Sequence, residues 1–144
     1  MQRGRVGRTM AVAMAAIAWV NGTGAATVPC EPKNGEPEIS LARHVEPILE
    51  EHCTACHSGG NVQMDLNLEY GLSWYFLVNR PAIEADLLRI HPGDPEKSYV
   101  IHKLRGTHID VGGAGDRMPL EKEPLTDAQM TLIAGWIKGC ALRN

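Results

Sequence analysis

The sequence predicts a small all-α domain, and three observations carry that expectation. Near the C-terminus Met130, Ile133, Ala134 and Ile137 recur at i, i+3, i+4 and i+7 behind a capping box in which Thr126 is reciprocated by Gln129. Ser40 to His52 puts Val45, Ile48 and Leu49 on one helical face, with Leu41 and His52 a turn away on either side. Between them Asp94 and Pro95 read as N-cap and N1 of a helix through Tyr99, Val100, Ile101 and Leu104 that stops at Gly106.

Ahead of these elements the chain reads as a targeting segment. Arg3, Arg5 and Arg8 form a basic stretch, and Met10 to Val20 is a continuous apolar run too short for a comfortable membrane span. Small residues follow, so residues 1–26 are expected to be a secretory signal peptide, with retention as an uncleaved anchor the competing reading. Cleavage there leaves 118 of 144 residues, enough for one small core. Removing three arginines from the 14 Lys and Arg leaves 11 against 17 Asp and Glu, a formal charge of −6. An acidic mature surface argues against nucleic acid and anionic membrane, and favours a partner with a basic docking face.

Residues 27–39 are rich in Pro, Gly and Glu and read as an irregular lead-in to a domain over 40–144. Ser40 is a candidate N-cap of the first helix, and Pro47 either lies in the first turn of a helix that starts near Val45 or kinks a longer one. The helix delivers the chain into Cys53-Thr54-Ala55-Cys56-His57. Two thiols two residues apart, with histidine next, form the attachment pattern of a c-type haem. In that reading Cys53 and Cys56 bond the two vinyl groups, and His57 supplies the proximal imidazole to iron. The alternatives are a redox-active dithiol or a surface CxxC beside a histidine; a zinc site would need a further Cys or His knuckle.

Ser58-Gly59-Gly60-Asn61 then turns the chain, and Leu66 and Leu68 add apolar contacts. Leu72 to Val78 is the most aromatic run, so Trp74, Tyr75 and Phe76 are expected in the haem-pocket wall and core, with one of them open to the surface. Ile83 to Ile90 reads as a short helix or an insertion loop. Arg80 and Arg89 read first as exposed arginines and second as propionate partners. The Tyr99 hydroxyl either meets a propionate or packs.

Gly106 to Gly115 is too glycine-rich for a stable helix and leads to Asp116-Arg117-Met118-Pro119. A thioether presented from a loop and followed by proline suits the sixth position of haem iron, so Met118 is expected as distal ligand. Met64, His91, His102 and His108 are the alternatives, whereas Met130 belongs to the last helix's apolar stripe. Leu132 and Trp136 widen that stripe into a face that should pack across the first helix, and Gly139 closes the helix. With two cysteines assigned to haem, Cys30 and Cys140 remain. An exported, oxidising setting favours a disulfide between them; two free thiols, or one used between chains, are the alternatives.

The ordered combination of His44-Val45-Glu46-Pro47-Ile48-Leu49, the CxxCH motif, Pro92 to Ser98, Arg117-Met118-Pro119 and Leu125-Thr126-Asp127 leading to Trp136-Ile137 resembles the class I monohaem cytochrome c domain, and most closely the planctomycete-type cytochrome c domain family. The resemblance spans about Ser40 to Ala141. It implies a small class I cytochrome c fold with crossed N- and C-terminal helices around one covalent haem c, attached at Cys53 and Cys56, with His57 and Met118 on iron. The chain departs from the family's frequent Met-Pro-Pro by placing Leu120 after Pro119, and it carries Cys140 between Gly139 and Ala141.

The function expected from this is a one-electron carrier of the bacterial periplasm with a His/Met-ligated haem, an electron-transfer protein in preference to an enzyme. Two alternatives stand beside it: a haem enzyme or gas or peroxide sensor with a displaceable sixth ligand, and a non-catalytic electron-transfer subunit of a respiratory or dehydrogenase complex.

Overall fold

The computed structural model describes residues 29–32, 39–60 and 62–144; the signal-peptide expectation for residues 1–26 and most of the lead-in lie outside them. Four short α-helices carry the fold: α1 (Glu46–His52), α2 (Ser73–Leu77), α3 (Tyr99–Arg105) and α4 (Asp127–Lys138). Single 3₁₀ turns at Gln63–Asp65, Pro95–Lys97 and His108–Val111 link them. The domain is all-α, as expected, and its N- and C-terminal helical segments touch.

The first helix resolves the alternatives that Pro47 left open. Leu41–Val45 is a π-helical turn in which the Glu46 amide reaches back to the Leu41 carbonyl, and regular α1 begins only at Glu46, with Pro47 in its first turn. Proline has no N–H to continue an i→i−4 ladder, so the wide turn ends where α1 takes over. Ser40 caps the turn through its Oγ, which accepts from the Arg43 amide at 3.2 Å. Asn144 closes the same end from the far terminus: its Oδ1 accepts from the Leu41 amide at 2.8 Å and its carbonyl from the Ala42 amide at 2.9 Å.

α4 is the longest helix among the described residues and carries the expected capping box at Thr126 and Gln129. Its Ile133, Trp136 and Ile137 are buried, and they join Leu41, Val45, Ile48 and Leu49 in one core. A Cβ added at Gly135 would lie 2.5 Å from Ile39 Cδ1, so the glycine is what lets the lead-in cross α4 so closely. Gly139 follows the helix but keeps φ −77°; the left-handed residues are Cys140 (φ 73°) and Ala141 (φ 49°). The Ala141 amide returns to the Trp136 carbonyl at 2.9 Å.

In the middle of the chain one expectation is corrected and one open alternative is resolved. The helix expected from Pro95 to Gly106 is broken at Ser98, which is extended (φ −99°, ψ 111°) and fully buried. Its Oγ donates to the Asp94 carbonyl at 2.8 Å and accepts from the His91 amide at 3.0 Å, so the side chain ties the break to the preceding turn. Ile83 to Ile90 forms no helix. It is one limb of an excursion pinned by isolated bridges, Val78 with Ile90, Pro81 with Leu88, and Leu88 with Ser98.

Candidate functional site

The CxxCH stretch is the continuation of α1. The Cys53 and Thr54 amides both donate to the Leu49 carbonyl, and the Cys56 and His57 amides turn back onto the Cys53 carbonyl. One tight turn therefore places Cys53, Cys56 and His57 along one wall of a cavity. Met118, Pro119 and Leu120 line the same cavity, as do Leu68, Leu77, Leu104 and Ile133. The cleft holds about 940 Å³ of empty space, its open mouth included, and its lining is overwhelmingly apolar.

The ring of His57 is held from one side. Its Nδ1 lies 3.2 Å from the Gln63 carbonyl, an acceptor only, so Nδ1 carries the proton and Nε2 keeps a free lone pair. The Leu68 amide donates to the His57 carbonyl at 2.7 Å and fixes the backbone behind the ring. Burial pushes the Cys53 thiol up to about 11, against an opposing pull from Lys122. Cys56 is exposed.

Met118 lines this cavity and a second, smaller one that also reaches His57. Its amide donates to the Lys103 carbonyl at 3.0 Å, and Arg117 Nη1 donates to its carbonyl at 3.2 Å. Among the alternatives, Met64 lines only the second cavity, while His91, His102 and His108 line neither. His102 is occupied by Thr107 Oγ1 and the Glu96 carbonyl, and His108 by the Gly115 carbonyl.

Other site expectations move. Trp74, Tyr75 and Phe76 line neither cavity; from their run only Leu77 does. Trp74 instead donates Nε1 to the Ala141 carbonyl at 2.8 Å, and Tyr75 is the exposed member, with Arg143 4.7 Å from its ring centre. Arg80 is exposed and donates to the Tyr75 carbonyl. Arg89 is buried at 8% exposure, and its two terminal nitrogens bond the carbonyls of Met64, Asp65 and Phe76. Tyr99 donates to Glu84 Oε2 at 2.7 Å. That Glu84, Tyr99 and Lys103 group was invisible in the sequence because its members stand 15 and 19 residues apart.

The expected pairing of Cys30 with Cys140 is present as a disulfide, with Cα atoms 5.5 Å apart and 110 residues between them. The carrier function expected from the sequence is corrected here. The covalent sulfur link among the described residues joins Cys30 to Cys140, 110 residues apart, and not the cysteines of the CxxCH stretch, which are free.

No helix among the described residues is long and apolar enough to cross a membrane. Among the same residues no three His, Cys, Asp or Glu side chains gather to hold a metal ion. No known family profile and no curated protein matches the chain. Among solved structures it is similar to hydrazine synthase of Kuenenia stuttgartiensis, at 19% identity and a TM-score of 0.47, over 71% of this chain and 16% of that one. A likeness that slight carries no argument about function.

Proposed function

We propose that the cavity between the CxxCH turn and Met118 is a haem-binding site, with one haem c as its cofactor. The observation that supports this most directly is that His57, with its Nδ1 on the Gln63 carbonyl, and Met118 line one apolar cleft. The donor set fits the group: an imidazole and a thioether are both haem-iron ligands, and apolar walls suit a flat, largely hydrophobic ring. Bound haem iron would supply coordination chemistry governed by these axial groups and their surroundings.

The chain's own part is to present and orient. Cys53 and Cys56 stand beside His57 as free thiols, and each can add its S–H across a vinyl group with no atom lost. Gln63 holds the ring of His57, and Lys103 and Arg117 hold the backbone of Met118. The motif order shared with class I cytochrome c domains supports the same assignment, and the basic, apolar, small-residue pattern of residues 1–26 supports export to the periplasm as the setting. The formal −6 of the mature chain supports a partner with a basic docking face.

The test is expression with a haem-attachment system, followed by denaturation and mass measurement. The expected result is a chain heavier by one haem that survives denaturation. In Cys53→Ala and Cys56→Ala together the mass gain should disappear. A wild-type chain that leaves the same system at its apo mass overturns the proposal.

A further inference from the structure

The loop that carries Met118 is gripped at two points by one residue. Lys103 Nζ donates to the Ala114 carbonyl at 2.5 Å, and the Lys103 carbonyl accepts from the Met118 amide at 3.0 Å. Its side chain is only 13% exposed, and its ammonium is held in place by Glu84 Oε2 at 2.7 Å, the same oxygen that accepts the Tyr99 hydroxyl at 2.7 Å. The loop is shaped to receive this group. A Cβ at Gly113 would fall 2.5 Å from the Tyr99 hydroxyl oxygen and 2.7 Å from the His108 carbonyl, and one at Gly115 would press on Glu84 and Lys103. His108, 3% exposed, adds a third tie through Nε2 to the Gly115 carbonyl at 2.8 Å; its Nδ1 has no partner, so the ring is spent on holding the loop.

We infer that Lys103 is a positioning residue for Met118, with Glu84 and Tyr99 fixing its ammonium so that the glycine-rich loop delivers the thioether to the cavity shared with His57. Glu84, Tyr99, Lys103 and Met118 all border the second cavity, so the grip and the thioether lie side by side. A glycine-rich segment loses much conformational entropy on ordering, and charge-assisted bonds to its carbonyls oppose that cost where neutral contacts would not. The inference rests on the haem-site reading only for what the thioether meets; the grip on the loop is a property of the chain alone.

The experiment has two arms. In the cofactor-free chain, amide hydrogen exchange at Gly113 and Met118 is compared in wild type, Lys103→Met, Glu84→Gln and Tyr99→Phe. Lys103→Met and Glu84→Gln should speed exchange at both amides on the order of tenfold while α4 keeps its protection. Tyr99→Phe, which removes one hydroxyl, should fall between them and wild type. In the haem-loaded protein the same variants should weaken the methionine-to-iron near-infrared band of the ferric state in the same order. Unchanged exchange at Gly113 and Met118 overturns the inference, as does loosening of α4 to the same degree. If wild type takes up no haem, the haem-site proposal fails while the exchange arm still decides the grip.

Discussion

Gln129 Nε2 lies 2.9 Å from His52 Nε2, so the last residue of α1 and the first turn of α4 are joined by a single side-chain bond beside the cavity. The amide nitrogen can only donate, so His52 Nε2 accepts. Gln129 serves the cap with its other end, where Oε1 accepts from the Thr126 amide at 2.9 Å. Gln129→Ala removes both bonds and should cost about 1–2 kcal/mol in the urea unfolding free energy. Gln129→Glu keeps the acceptor for the cap and places a negative charge at the helix N-terminus, while losing the donor to His52. Its cost should be clearly smaller; an equal cost would show that the interhelix bond, and not the cap, carries the effect.

The disulfide ties the lead-in to the residue that follows α4. Closing a loop of 110 residues restricts the unfolded chain, and replacing Cys30 and Cys140 together by serine should lower stability by about 2–4 kcal/mol. Reductant should bring wild type down to the level of the double variant and leave the variant unmoved. Denaturation curves of the two with and without reductant check this, and a reductant effect on the variant would place the sensitive sulfur elsewhere.

Local signals in the chain proved legible where the structure they specify is also local. The capping box at Thr126, the stripe of Ile133, Trp136 and Ile137, and Asp94 with Pro95 at the head of a turn are all set within a few residues. The CxxCH turn and Met118 share a cavity that Leu49 of the first helix, Leu104 of α3 and Ile133 of α4 also line, all three on faces that could be read. What could not be read depends on distant partners. Ser98 interrupts the expected helix, and its Oγ accepts from the His91 amide and donates to the Asp94 carbonyl, ties that helical periodicity does not announce. Glu46 is buried without a cation because its carboxylate accepts from the Gly71 amide and the Ser73 hydroxyl, more than twenty residues away. Arg89 gave no periodic signal at all.

Arg89 joins its own segment to the Gln63–Asp65 turn and to α2 through backbone carbonyls. Removing the guanidinium in Arg89→Met keeps the bulk of the stem but leaves the carbonyls of Met64, Asp65 and Phe76 to find new partners, at a cost of roughly 3 kcal/mol. Arg89→Lys should recover only part of that, because an ammonium cannot reproduce the planar fork that spans the three oxygens. Thermal unfolding of both variants checks the order, and a lysine variant as stable as wild type would show that charge alone, and not the fork, is what the site requires.

Glu84 and Tyr99 predict opposite edges of the stability profile. Burial pushes the Glu84 carboxyl up, but hydrogen bonds from Lys103 and Tyr99 and the Lys103 charge outweigh it and hold the group below its ordinary 4.5. Its contribution is present above about 4.5 and is lost as pH falls through the lower folded value. For Tyr99, burial and the bond to Glu84 push the phenol up from 10 to about 12. That contribution is full below 10 and disappears as pH rises from there through about 12. Unfolding free energies across pH should therefore lose the acid-side slope of this pair in Glu84→Gln and its alkaline-side slope in Tyr99→Phe. In Glu84→Gln the Tyr99 phenol should also fall back toward 10, measured as the ultraviolet titration difference between that variant with and without Tyr99→Phe. A Tyr99 titration that stays at about 12 without the Glu84 charge would show that burial alone sets it, and that the bond between the two does not.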